Sequence, residues 1–119
     1  MTRSKTRVLA VALVFCLWPV VNNRQTEAQP ANVFTQYGSV QELEAGWVED
    51  SIAVIHSASM VNPGGCPTTN GGYATNPNDG GYNLFHTLLL SAFLNRKEVS
   101  LLISGCVYGK SHIIAVKVY

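Results

Sequence analysis

Cys66 and Cys106 constrain this chain most, because a bridge between them would tie a glycine-rich segment to a point beyond a long apolar stretch. Such a pair fixes a fold only where thiols oxidise, so the start of the chain bears on it. Residues 1–28 have the layout of an export signal: basic Arg3, Lys5 and Arg7, an apolar run over residues 8–21, then a polar stretch. Cleavage is expected before Gln29, after Thr26-Glu27-Ala28. The apolar run falls short of the roughly 20 residues that span a bilayer, so the mature chain is expected not to cross a membrane. The third cysteine, Cys16, lies inside this segment, and the bulky Phe15 stands before it where a lipidation signal wants a small residue. Cys66 and Cys106 then remain, and one disulfide is the simplest assignment. Closing a loop of that length stabilises a fold by roughly 4 kcal/mol in the chain-entropy model. A metal site would need more ligands than two isolated cysteines.

Processing also changes the charge. The whole chain is formally +1, but after residue 28 it holds four basic and six acidic residues, net −2. Scattered cations on a mildly acidic domain leave no footprint for nucleic acid or for an anionic membrane surface. About 90 residues remain, enough for one small domain, with residues 29–45 read as a lead-in and residues 46–119 as the disulfide-bridged domain.

Between the cysteines the pattern changes twice. Residues 62–81 hold six glycines, three prolines and four asparagines, which are turn residues, and their glycine pairs lack the spacing of a phosphate-binding loop. A short strand is expected over residues 72–75. Residues 81–95 then place Tyr82, Phe85, Leu88, Leu89, Ala92 and Phe93 on one helical stripe, with Asp79 as N-cap and Asn95, Arg96 and Lys97 at the far end. No charged residue lies between Asp79 and Arg96. Leu90 and Leu94 fall off the main stripe, so either a loop or bare solvent covers them, or they form a subunit interface.

Residues 98–104 alternate with Val99, Leu101 and Ile103 on one side, and residues 112–119 alternate with Ile114, Val116 and Val118 facing one way. Upstream, residues 47–58 read as a strand, and Ser39 with Glu42 fits a capping box for a short helical turn. Tyr82, Phe85, Leu89, Phe93, Val99, Leu101, Ile103, Ile114 and Val116 are the expected core.

Chemistry is sparse. His56, His86 and His112 sit on three different elements without the spacing of metal ligands. No serine lies in a nucleophile elbow, and an oxidised Cys106 is no nucleophile. No catalytic residue and no cofactor is implied. Tyr73, Asn76, Asn78, Asp79 and Tyr108 lie in or beside the glycine-rich turns, and rings with amide and carboxylate neighbours suit sugars or protein loops.

The run Asn62-Pro-Gly-Gly-Cys66, the Gly-Tyr73 strand, the helix from Tyr82 to Phe93 and Val99-Ser-Leu-Leu-Ile-Ser-Gly-Cys106 resemble a group of small exported proteobacterial proteins of unknown function. The likeness covers residues 46–119 and carries no activity. More remotely, the order of strands, helix and two final strands is similar to the five-stranded OB-type barrels of bacterial toxin B subunits. That resemblance implies a helix at the interior of a ring of subunits and loops or barrel faces that bind host glycans. No residue of this chain matches a glycan-site motif of that family.

These readings converge on a mainly β domain with one α-helix (α+β), an OB-like, partly open five-stranded barrel in the order strands, helix, two strands. The expected role is a secreted or periplasmic, non-catalytic binding module for a glycan or a protein, with homo-oligomers through Leu90 and Leu94. The alternatives are a monomeric structural or enzyme-inhibitor domain, and a weak hydrolase using His56 or His86 with a nearby carboxylate.

Overall fold

The computed structural model describes residues 31–70 and 72–119, so the export signal expected over residues 1–28, with Cys16, lies outside the described residues. Six strands and one helix follow one another as β1 (Asn32–Phe34), β2 (Gly38–Ala45), β3 (Ile52–His56), β4 (Tyr73–Ala74), α1 (Tyr82–Asn95), β5 (Glu98–Val107) and β6 (Lys110–Val118).

Strands β1 and β2 lie end to end along one edge of β5: Phe34 pairs with Leu102, and Gly38 with Val99. Thr35 bridges the break between them. Its hydroxyl oxygen accepts from the Leu101 amide at 3.0 Å, its own amide donates to the Leu101 carbonyl at 2.9 Å, and its carbonyl accepts from the Ser100 hydroxyl at 2.7 Å. The two therefore act as one bent strand.

From there the ring runs β5, β2, β3, β4, β6 and back to β5, all antiparallel except the β4–β6 pair. With β1 and β2 counted as one, this is the strand order of an OB-type barrel, and the helix falls between its third and fourth strands. The β2–β5 and β4–β6 seams each hold only two residue pairs, which leaves the barrel partly open.

Inside lie Val40, Val54, Tyr73, Val99, Leu101, Ile103 and Ile113, with Leu89 and Ala92 of α1 closing over them. The alternation expected for β5 holds, since Val99, Leu101 and Ile103 are fully buried. That for β6 does not. The register slips between Leu102 opposite Ala115 and Ile103 opposite Ile113, so Ile114 is an extra residue in a β-bulge and the phase inverts there. Ile113 therefore fills the core in place of Ile114, while Val116 still packs against it.

Other expectations are corrected nearby. The Ser39–Glu42 capping box is part of β2, because Val40 is drawn into the core and the Ser39 amide is taken by the Ser57 hydroxyl at 2.8 Å. The lead-in read over residues 29–45 thus supplies β1 and β2. The strand read over residues 47–58 is shorter, since residues 46–51 turn, with Gly46 at φ 88° and Glu49 at φ 50°.

Helix α1 spans the expected residues but buries a narrower stripe. Leu89 and Ala92 are inside, Tyr82 and Phe85 are half-buried, and Leu88 and Phe93 are exposed. Gly81, not Asp79, is its N-cap and has no side chain to cap with, while the Asp79 carboxylate is paired with His112 at 2.5 Å. The Cys66–Cys106 disulfide is formed, with the two Cα atoms 5.7 Å apart, and it ties the glycine-rich loop to the end of β5. No helix among the described residues is long and apolar enough to cross a membrane.

Candidate functional site

Two turns meet at the mouth of the barrel. The first, residues 46–51, joins β2 to β3 and is pinned by Ser51, whose amide and hydroxyl both donate to the Val48 carbonyl, at 3.1 and 2.6 Å. It presents Trp47, which is 80% exposed. The indole N–H of Trp47 donates to a carboxylate oxygen of Glu44, which holds the ring against the end of β2. A tryptophan held so while leaving most of its surface in water buries little area for its own fold.

The second turn, Tyr108-Gly109, joins β5 to β6. Val107 pairs with Lys110 across it, and its two residues have φ of 51° and 76°. Two left-handed central residues mark a type I′ hairpin, whose first position suits Asn, Asp or Gly. A bulky residue is uncommon in that conformation. Tyr108 stands there with its ring partly exposed, and partial burial, followed by the charge of Glu49, holds its phenol above the ordinary tyrosine pKa.

Between the turns lies a groove of about 140 Å³. Ala53 and Ala74, paired across β3 and β4, form a floor without bulk, and Trp47 and Tyr108 line the groove above it. Glu44, Ser51 and Lys110 are its polar lining. A cavity near 150 Å³ holds a benzene-sized ring, so this one suits a single six-membered ring.

Behind the first turn a wider cleft opens towards α1, lined by Glu49, Asp50, Tyr82, Asn83 and His86. His86 Nε2 lies 2.9 Å from the Thr75 hydroxyl, and the Tyr82 ring meets the imidazole edge-on at 5.1 Å. Burial lowers the His86 pKa, against which the Asp50 carboxylate works more weakly. The imidazole is therefore neutral at pH 7. Thr75 is fully buried, and its hydroxyl is also held by the Ile52 amide at 2.9 Å, so it offers no nucleophile to a substrate. His56 is buried too, with Nε2 donating to the Val99 carbonyl at 2.9 Å. No group of three or more His, Cys, Asp or Glu among the described residues is placed to hold a metal ion.

Of the residues expected to bind a ligand, the structure brings only Tyr108 to the groove. Tyr73 is 1% exposed and its hydroxyl accepts the Val61 amide at 2.9 Å, so it is core. Asn76 accepts the Asn78 amide at 2.9 Å and shapes the turn before α1, where Asn78 is exposed and Asp79 is bound to His112. Leu90 and Leu94, for which cover by a loop, bare solvent or a subunit interface was open, are exposed within this chain, Leu90 beside a cleft against β2 and β3. Reading the sequence missed Trp47, Glu44 and the alanine floor. The available signal was Gly46 directly before Trp47, a turn residue beside an aromatic one at a strand end.

No protein-family model, curated protein or solved structure matches this chain.

Proposed function

We propose that this protein is a non-catalytic recognition module, exported to the periplasm or beyond, and that the groove between its two turns holds one saccharide ring. The observation that carries this is Trp47, 80% exposed yet fixed by Glu44 at the edge of a groove that Tyr108 also lines. Aromatic rings set beside a few polar groups suit the C–H face and hydroxyl edge of a sugar. OB-type barrels bind oligosaccharides or oligonucleotides on the face of their second and third strands, between the first-second and fourth-fifth loops. Here those are β3 and β4, residues 46–51 and the Tyr108-Gly109 turn, and all of them line this groove. The charge balance after residue 28, net −2, turns the choice away from nucleic acid. A disulfide and an export-like start support an oxidising compartment.

Retention on a glycan array tests the reading. The protein is expected to bind a small set of neutral or amino-bearing glycans, and Trp47→Ala to lose them while melting at the same temperature. Binding that survives Trp47→Ala would move the site elsewhere. The hydrolase alternative is the weaker reading: Asp50 lies near His86, but the Thr75 hydroxyl beside that imidazole is buried and held by Ile52.

Self-association is a second part of the proposal. Leu84, Leu90 and Leu94 are 69%, 51% and 69% exposed on a helix without charge. Its outer polar side chains are already bonded to their own backbone, Thr87 to the Asn83 carbonyl and Asn95 to that of Ser91. Light scattering should give a mass above one chain that Leu90→Asp or Leu94→Asp reduces. A monomer unchanged by either would favour the structural or inhibitory domain.

A further inference from the structure

Granting the saccharide reading of the groove, its charge decides which saccharide. We propose that the groove selects a sugar ring carrying a free amine over the same ring N-acetylated.

The groove has two kinds of recognition surface. The first is the exposed Trp47 ring, together with Tyr108, whose electron-rich faces attract an ammonium as well as a C–H face. The second is acidic. Glu44 lines the groove and reaches Trp47 with one carboxylate oxygen, which leaves its second oxygen to accept from a ligand. Glu49, in the turn that also carries Trp47, lies outside the groove's lining but near enough for its charge to be felt at Tyr108. Against these two carboxylates stands one cation, Lys110, which is itself engaged by a partner within the protein.

The lining also lacks what an acetamido group would need. Among the described residues it contains no Asn or Gln, whose side-chain amides pair with an N-acetyl group in both directions, and Ser51 already gives its hydroxyl proton to Val48. An ammonium, with three donors and no acceptor, asks only for carboxylate and ring faces. Anionic sugars and phosphate esters meet the Glu44 charge in the lining and that of Glu49 beyond it. The ligand class that fits is therefore an amino sugar, as a free oligosaccharide or as part of a larger envelope glycan.

Matched oligosaccharides separate the two levels of the claim. Titration calorimetry of the oxidised protein would compare a glucosamine oligomer with the N-acetylglucosamine oligomer of equal length, at a mildly acidic pH where the amines are charged. The glucosamine chain is expected to bind about tenfold more tightly, a difference of one decade in Kd. Glu44→Gln keeps a carbonyl acceptor for the Trp47 N–H but removes the charge. It should abolish the preference, bringing the two chains within a factor of about two of one another in Kd whatever the affinity they then share. Equal affinities, or a preference for the N-acetylated chain, would overturn the amine selectivity and leave the saccharide groove standing. Binding of neither chain would overturn the amino-sugar assignment. If the protein also retained no glycan on the array, the saccharide reading would fall with it. A preference that persists undiminished in Glu44→Gln would contradict the role given to that carboxylate.

Discussion

Tyr108 occupies a backbone conformation that a smaller residue would hold at lower cost, and its ring is partly exposed beside the groove. Replacing it with Asn should therefore keep stability or raise it by up to about 1 kcal/mol, while saccharide binding is lost. Urea unfolding set beside a binding titration checks both halves. Gly72 is a contrasting position: at φ 73°, a Cβ there would lie 2.1 Å from the Val54 carbonyl oxygen. Gly72→Ala should cost several kcal/mol, seen as a large drop in melting temperature, because β4 could no longer lie against β3. Leu89, with no exposed surface, should cost about 2–5 kcal/mol when cut to Ala. Its place was legible from helical spacing alone. That of Tyr73 was not, because a tyrosine among glycines reads as a surface ring until the strand it belongs to is seen inside the barrel. Trp47 escaped for a related reason. Alternation carries no mark of where it stops, so a turn tryptophan was counted into the strand that follows it.

Each element shows where local pattern and the closed sheet agree or conflict. Helix α1 was legible to within a residue, and strand β5 from its start to within three residues of its end, since long apolar periodicities leave few alternatives. Strand β2 was not. Ser-x-x-Glu is locally a helix start, but Gly38 and Ser39 complete the seam with β5, and without them the ring would not close. The inverted phase of β6 comes from its bulge, which the sequence Ile-Ile-Ala-Val leaves undetermined because either isoleucine can fill the core. At the end of α1, Arg96 takes a left-handed conformation, φ 52°, that glycine adopts freely. Arg96→Gly should stabilise the protein by about 0.5–1 kcal/mol, measurable as a shift of the urea midpoint. Next to the helix, His86 brings a pH dependence. Burial sets its folded pKa below the ordinary value of 6.5, so the unfolded chain binds more protons in that window and stability rises with pH. The contribution is present above the unfolded value and is lost as pH falls through the lower folded one. His86→Gln should flatten the acid limb of a plot of melting temperature against pH.

Taken whole, the molecule is a small OB-type barrel whose seams are short, and the disulfide compensates for them by tying the loop before β4 to the end of β5. Reduction should lower the unfolding free energy by up to roughly 4 kcal/mol, read as a fall in melting temperature under dithiothreitol. The fold class and the bridge could be anticipated because strand order and the two cysteines after residue 28 are read from the chain in sequence. The groove could not, because it is made where two turns about 60 residues apart meet over a floor of two alanines. That meeting is the basis of the functional proposal, and amide chemical-shift mapping during a titration with a glucosamine oligomer tests it most directly. The shifts should gather at residues 44–53, at Ala74 and at residues 107–110, and should vanish in Trp47→Ala. Shifts confined to α1 and the His86 cleft, with residues 46–51 and 107–110 unmoved, would contradict it.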